Sequence, residues 1–273
     1  MAFSLRGMLS SLLTFVGIGA AFYLIACFFL YLQQDRILFY PRPNDAALAE
    51  RWRANQVQIV SGEHTLVGWW AENPNSTTPR VIIYFGGNAE DVLYTLSQAS
   101  AFDARRMLAV NYRGYGASPG KPSQQALYED ALAIYDYVVA SGAAQPQDIV
   151  PMGRSLGSAM AVLLAAKRPV AATILITPFD SIAAVGAAHY PVFPVKLLLK
   201  HPFDSAALAR HTTVPALILA AERDGVIPPA HARALFEVWA GPKQFHLLHG
   251  VGHNDVERNE HYFELINAFL RNH

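Results

Sequence analysis

The stretch from Asp148 to Lys167 constrains the fold most tightly. An apolar run ending Ile149-Val150-Pro151-Met152 meets Gly153-Arg154-Ser155-Leu156-Gly157 and continues into an alanine-rich segment, Ser158 to Ala166. A short strand that is apolar on both faces and turns at once into a helix belongs in a parallel sheet covered by helices. The turn itself reads Gly-x-Ser-x-Gly. A serine on a strained strand-to-helix turn exposes its hydroxyl, and glycines two positions to either side leave room for the neighbouring strand and helix. The helix that follows aims backbone N–H groups and its positive dipole end at the place where an oxyanion would develop.

The same alternation runs through the chain from Val81 onward. Strands are expected at Val81–Phe85, Met107–Asn111, Ile149–Met152, Ala172–Ile176, Ala216–Ala220 and Gln244–Leu248. Helices are expected near Asp91–Phe102, Ser123–Ser141, Ser155–Lys167, Pro229–Trp239 and Asp255–Leu270. Before them, Val57–Val60 and Thr65–Trp70 flank Ser61-Gly62-Glu63-His64 and read as an antiparallel hairpin. The fold class is therefore α/β, a mostly parallel sheet with helices on both faces. Ser181 to Arg210 breaks the alternation and reads as a short lid, with an ordinary connection packed on the sheet edge as the alternative.

Two further residues complete a chemical pattern. Asp224, in Glu222-Arg223-Asp224-Gly225-Val226, follows one expected strand, and His253, in Gly250-Val251-Gly252-His253-Asn254, follows the last. Ser155, Asp224 and His253 thus stand in the order Ser, Asp, His at strand ends that converge on one crevice. In such a set the imidazole takes the serine proton during attack on a carbonyl carbon, and the carboxylate fixes the tautomer and stabilises the imidazolium. Asp180 is a rival acid. The backbone N–H groups of Leu156 and of Asn88, in Gly86-Gly87-Asn88-Ala89-Glu90, are the expected oxyanion donors. His249 and His253 lie four apart, but no third ligand accompanies them, so neither a metal nor a cofactor is expected.

Lys plus Arg and Asp plus Glu both total 21, without a basic block, which argues against a nucleic-acid partner. Only 15% of residues are charged while 52% are apolar, and much of the excess lies near the start. No charged residue occurs between Arg6 and Asp35. Residues 12–32 suffice to cross a bilayer core as a helix, so residues 1–34 are expected to be a membrane anchor and 35–273 the globular domain, with a lid at about 181–210. A cleaved signal peptide normally has a shorter apolar region. Leu24-Ile25-Ala26-Cys27 also resembles a lipobox, with Cys27, the chain's one cysteine, as the lipidated residue. Gln33 to Pro43 reads as an interfacial collar. Charge counts beside the span leave the side of the membrane open, because long domains translocate regardless of them.

Several segments together resemble the Bem46-like branch of the α/β-hydrolase superfamily, related to serine aminopeptidase-type hydrolases. They are Asn111-Tyr112-Arg113-Gly114-Tyr115-Gly116, Gly153 to Ser158, Thr177-Pro178-Phe179-Asp180-Ser181, Asp224-Gly225-Val226-Ile227-Pro228 and Gly252-His253-Asn254-Asp255. The resemblance implies an α/β-hydrolase fold and a serine hydrolase acting on a small-molecule or lipid ester or thioester. A peptidase or amidase, or a non-catalytic scaffold binding a lipid or protein, are the alternatives. Two positions depart from the family pattern. Gly86 stands where the oxyanion loop usually has histidine, which leaves open what braces that loop, and Asn111 replaces a usual aspartate. The apolar residues of the lid, Tyr190, Phe193 and Leu198 among them, are expected to contact the acyl or alkyl group.

Overall fold

Strand β3 shows why the sheet is a central layer. All of Val81–Phe85 is buried, with Val81, Ile83 and Phe85 in one core cluster and Ile82 and Tyr84 in the other. Side chains alternate faces along a strand, so two apolar layers must cover it. The computed structural model describes residues 5–273, with side chains from residue 7. In chain order it contains α1 (Leu5–Leu38), α2 (Ala46–Arg51), β1 (Gln56–Ser61), β2 (His64–Glu72), β3 (Val81–Phe85), α3 (Val92–Leu96), β4 (Arg106–Val110) and α4 (Gln124–Ala140). Then follow β5 (Ile149–Arg154), α5 (Gly157–Lys167), β6 (Thr173–Ile176), α6 (Ile182–His189), α7 (Val195–Leu198), α8 (Ser205–Ala209), β7 (Ala216–Ala221), α9 (Pro229–Val238), β8 (Lys243–Leu248) and α10 (Tyr262–Asn272).

The eight strands form one sheet in the order β1-β2-β4-β3-β5-β6-β7-β8. β1 and β2 form the expected hairpin and β2 runs antiparallel to β4, while every later pairing is parallel. Residues of α4, α5, α8 and α9 cover one face, and those of α3 and α10 the other. Two expected helices are shorter than their apolar patterns. Asp91–Phe102 divides into α3 and a tight turn at Ala99–Ala101, because the Ser97 hydroxyl donates back to the Leu93 carbonyl where the helix stops. Asp255–Leu270 begins with a single tight turn, Val256–Arg258, before α10.

The N-terminal helix is longer than its apolar core. α1 has 34 residues, about 51 Å at 1.5 Å per residue, against a bilayer core of about 30 Å. It is long and apolar enough to cross a membrane. Residues 1–4 of the expected anchor lie outside the described residues. The expected collar is in fact helical as far as Leu38, and its polar residues grip the lid. Gln34 is buried, donating from Nε2 to the Leu198 carbonyl (3.0 Å) and accepting from the Lys200 N–H (2.6 Å). One face of α1 carries Tyr23, Cys27, Leu30, Gln34 and Leu38, at the three- and four-residue spacings that share a helix side. Tyr23 stacks on Phe193 at 5.9 Å, and its hydroxyl donates to the Val192 carbonyl (2.8 Å).

Candidate active site

Three parallel strands end in residues whose backbone only a tightly held turn sustains. Ala89, Ser155 and Thr177, in the turns after β3, β5 and β6, have φ of 60°, 52° and 45°. Left-handed geometry at non-glycine residues costs about 1–3 kcal/mol each and clusters at functional sites. At Ser155 the cause is visible. A Cβ on Gly157 would lie 2.0 Å from the Phe85 carbonyl oxygen, and one on Gly153 2.2 Å from the Gly157 oxygen. The chain folds back on itself only because both side chains are absent. Helix α5 therefore starts at Gly157, two residues later than the apolar pattern suggests.

The structure brings Ser155, His253 and Asp224 together. His253 Nε2 lies 2.9 Å from Ser155 Oγ, and His253 Nδ1 lies 2.7 Å from Asp224 Oδ2. The other carboxylate oxygen, Asp224 Oδ1, accepts from the Val226 and Ile227 N–H groups at 2.9 and 2.7 Å. A carboxylate can only accept, so Nδ1 must carry the imidazole proton and Nε2 is left to accept from the serine hydroxyl. The Asp224 side chain is 1% exposed and that of His253 9%, so water competes little for either bond. The acid and histidine loops are tied together by the Arg223 N–H to the Val251 carbonyl (2.9 Å).

Asp180 is elsewhere. Its carboxylate bonds His231 Nδ1 at 2.7 Å, joining the base of the lid to α9. His249 pairs with Glu222 at 3.1 Å. No cluster of three metal-ligating side chains occurs among the described residues.

The loop after β3 is braced from several sides. Glu90 Oε1 accepts from the Tyr84 hydroxyl (2.7 Å) and from Thr95 Oγ1 (2.8 Å), while Oε2 accepts the Gly87 N–H (2.7 Å). The Tyr112 hydroxyl donates to the Gly86 carbonyl at 2.6 Å. Burial raises the Tyr84 and Tyr112 pKa values well above the ordinary tyrosine value, and the Glu90 charge adds to it, so both phenols keep their protons. A Cβ at Gly86 would lie 2.8 Å from Val92 Cγ1 and 3.4 Å from Glu90 Cδ. The space beside Gly86 is thus occupied by Val92 and by the Glu90 carboxylate. Asn111 also finds partners, donating to Asn44 Oδ1 (2.7 Å), and Asn44 in turn donates to Asp91 (2.7 Å).

Arg154, the residue before the serine, links the two halves of the site. Its Nη2 donates to the His253 carbonyl (3.1 Å), and Nη1 stands 4.0 Å from Glu90 Oε2. Burial works against its charge, but Glu90 and then Tyr84 more than restore it, leaving its pKa above the ordinary arginine value. Sequence reasoning passed over Glu90 and Arg154. The available signal was a charged side chain inside each of two glycine-bearing strand-to-helix turns, at Glu90 and Arg154.

Leu156 follows Ser155 directly, and a Cβ on Gly87, the residue before Asn88, would lie 3.6 Å from the Ser155 Cβ. Among the described residues neither the Asn88 nor the Leu156 backbone N–H has an acceptor, whereas the Gly87 N–H is taken by Glu90. The Asn88 side chain is itself pinned, donating to the Leu38 carbonyl (2.7 Å) and accepting from the Tyr40 N–H (2.9 Å) and the Tyr115 hydroxyl (2.8 Å). Tyr190, Phe193 and Leu198 line an apolar cleft of about 280 Å³ between the lid and α1. Ser155, Asp224 and His253 do not line it.

No family model matches the chain. It is 34% identical over 235 residues to an uncharacterized protein of Mycobacterium tuberculosis, covering 84% of this chain and 83% of that one. It is 28% identical over 295 aligned positions to protein bem46 of Schizosaccharomyces pombe, covering 99% and 97%. With alpha/beta hydrolase domain-containing protein 17B of Homo sapiens it shares 31% identity over 194 residues, covering 69% and 65%. A solved esterase of Pyrococcus furiosus superposes with a TM-score of 0.66 at 15% identity, covering 86% of this chain and 99% of that one, a likeness of fold. The chain belongs to one family with the mycobacterial protein, resembles bem46 over nearly its full length, and has the α/β-hydrolase fold.

Proposed function

We propose that the chain is a membrane-anchored serine hydrolase that cleaves carboxylic esters or thioesters of apolar acyl groups. The observation that carries this reading is one imidazole bonded to both Ser155 Oγ and Asp224, with the serine held at φ 52°. Ser155 Oγ attacks the carbonyl carbon as its proton passes to His253 Nε2, and Asp224 stabilises the imidazolium. The resulting oxyanion accepts from the Asn88 and Leu156 N–H groups. Its collapse breaks the bond to the leaving alcohol or thiol, which takes the proton from His253. Water then attacks the acyl-enzyme through the same imidazole, releasing the carboxylic acid and restoring the serine.

The unspent N–H groups and the bracing of the loop by Glu90 favour an active enzyme over a scaffold. The length and apolarity of α1 support the anchor. A fluorophosphonate probe should label the wild type and fail on Ser155→Ala at equal folded protein. Labelling that survives the substitution would transfer the chemistry to another residue. The full chain should stay with membranes through a carbonate wash, and its appearance, uncleaved, in the soluble fraction would refute the anchor.

A further inference from the structure

The cleft between α1 and the lid is bounded by Leu30, Ile37 and Leu38 on the helix and by Val185, Phe193 and Leu198 on the lid. At about 280 Å³ it is slightly below the roughly 300–1,000 Å³ of typical small-molecule sites, a size suited to one narrow chain. Both of its walls are tied to the chemistry. The Leu38 carbonyl accepts from Asn88 of the oxyanion loop at 2.7 Å. On the lid side, His189 bonds the carbonyl of Val226 at 2.9 Å, in the turn whose N–H groups hold Asp224.

The outer end lies beside exposed apolar surface. The lid meets α1 at Tyr23, about 22 Å along the helix from Leu38 at 1.5 Å per residue. On the exposed sides of that same length, Ile25, Phe28, Phe29 and Leu32 are each at least half exposed, so the apolar surface that a bilayer would cover continues past the level of the lid. The lid matches it. From Ser181 to Val195 it contains no Asp, Glu, Lys or Arg, and its Val192 and Leu197 are 70% and 86% exposed. Lys200 lies over the Tyr31 ring, 4.6 Å from its centroid, nearer the globular domain, where a long cationic side chain reaches polar surroundings.

We infer that this cleft is an acyl-chain site that opens sideways into the bilayer, with the anchor helix as one of its walls. Resting on the membrane-anchored hydrolase reading, the inference names the substrate as a single-chain acyl ester or thioester dissolved in the membrane. The chain lies between α1 and the lid while its carbonyl reaches Ser155. Substrate then passes from lipid to the serine with its chain shielded from water, and α1 contributes specificity as well as attachment.

The test uses the full chain in phosphatidylcholine vesicles. Leu30→Trp and Val185→Trp fill the cleft from opposite walls. Each should lower the ratio of kcat/KM for vesicle-borne p-nitrophenyl palmitate to that for p-nitrophenyl acetate at least tenfold, normalised to fluorophosphonate-labelled sites. A hexadecyl fluorophosphonate bearing a terminal diazirine, photolysed on wild-type protein, should crosslink within residues 23–38 or 182–199. Unchanged ratios, or crosslinks confined to other segments, would overturn the cleft while leaving the hydrolase intact. Failure of the probe to label wild-type Ser155 would overturn the hydrolase reading and the cleft with it.

Discussion

Removing the Glu90 carboxylate separates the bracing of the oxyanion loop from its bare fold. In Glu90→Ala the Gly87 N–H, the Tyr84 hydroxyl and Thr95 Oγ1 lose an acceptor at 2.7–2.8 Å, and Arg154 loses its neighbouring anion. The hydroxyls can turn elsewhere; the backbone N–H cannot. One orphaned buried donor costs about 1–3 kcal/mol, and hydrogen bonds to a charged acceptor contribute about 1.5–3 kcal/mol each. With partial relaxation, the expected loss is about 2–4 kcal/mol of a total stability on the order of 5–15 kcal/mol. Asn88 adjoins Gly87, so the freed loop should also misplace the Asn88 donor, lowering kcat by about 10²- to 10³-fold. Glu90→Gln should be far milder. Its amide oxygen can face the Gly87 N–H while its NH₂ donates to the two hydroxyls, both of which also accept. The assay is kcat on p-nitrophenyl acetate per fluorophosphonate-labelled site, beside thermal melting. A Glu90→Ala protein that melts early but turns over within threefold of wild type per labelled site would reduce Glu90 to a structural residue.

In Asp224→Asn the two backbone donors hold the amide oxygen, so the NH₂ must face His253 Nδ1. That imposes the wrong tautomer, and kcat should fall about 10⁴-fold at near-normal stability, as measured by stopped assays and melting. Gly86→His, which restores the usual family residue, should destabilise the protein and leave activity unimproved, because Val92 and Glu90 occupy the space. Asp103 has a pKa below the ordinary aspartate value: burial raises it, but hydrogen bonds from Thr77, Ser76 and Arg271 lower it further. A depressed folded-state pKa gives stability that is full above the unfolded value of about 3.9 and is lost as pH falls through the folded one. The melting-temperature advantage of wild type over Asp103→Asn should therefore persist from pH 7 to about 5 and shrink below about 4; a constant difference would contradict this.

The strands and the Ser-Asp-His order were legible because both are local. Apolar runs mark strands, and each site residue lies in the turn just after one. What escaped is non-local. Gln33, Gln34, Asp35 and Arg36 end the apolar run but not the helix, since polar residues continue a helix readily when a partner satisfies them. Gln34 meets Leu198 and Lys200 across 164 and 166 residues, and no periodicity announces such a pairing. The lid residues Tyr190, Phe193 and Leu198 were recognisable as surplus apolar surface. That α1 supplies their opposite wall was not, because a span reads from sequence as something facing lipid on every side. Asp180 and Asp224 both follow strands, and only the fold gives one to His231 and the other to His253.

The Asn88 amide receives the chain at the point where α1 ends, bonding the Leu38 carbonyl and the Tyr40 N–H at once. A protease that clipped the chain just after Tyr40 would therefore do more than release a soluble fragment. The Leu38 carbonyl and the Tyr40 N–H would leave with the anchor, and the side chain adjoining the proposed oxyanion donor would lose both partners. Shedding and inactivation would be a single event, so a hydrolase cut loose from its compartment would carry little activity away with it.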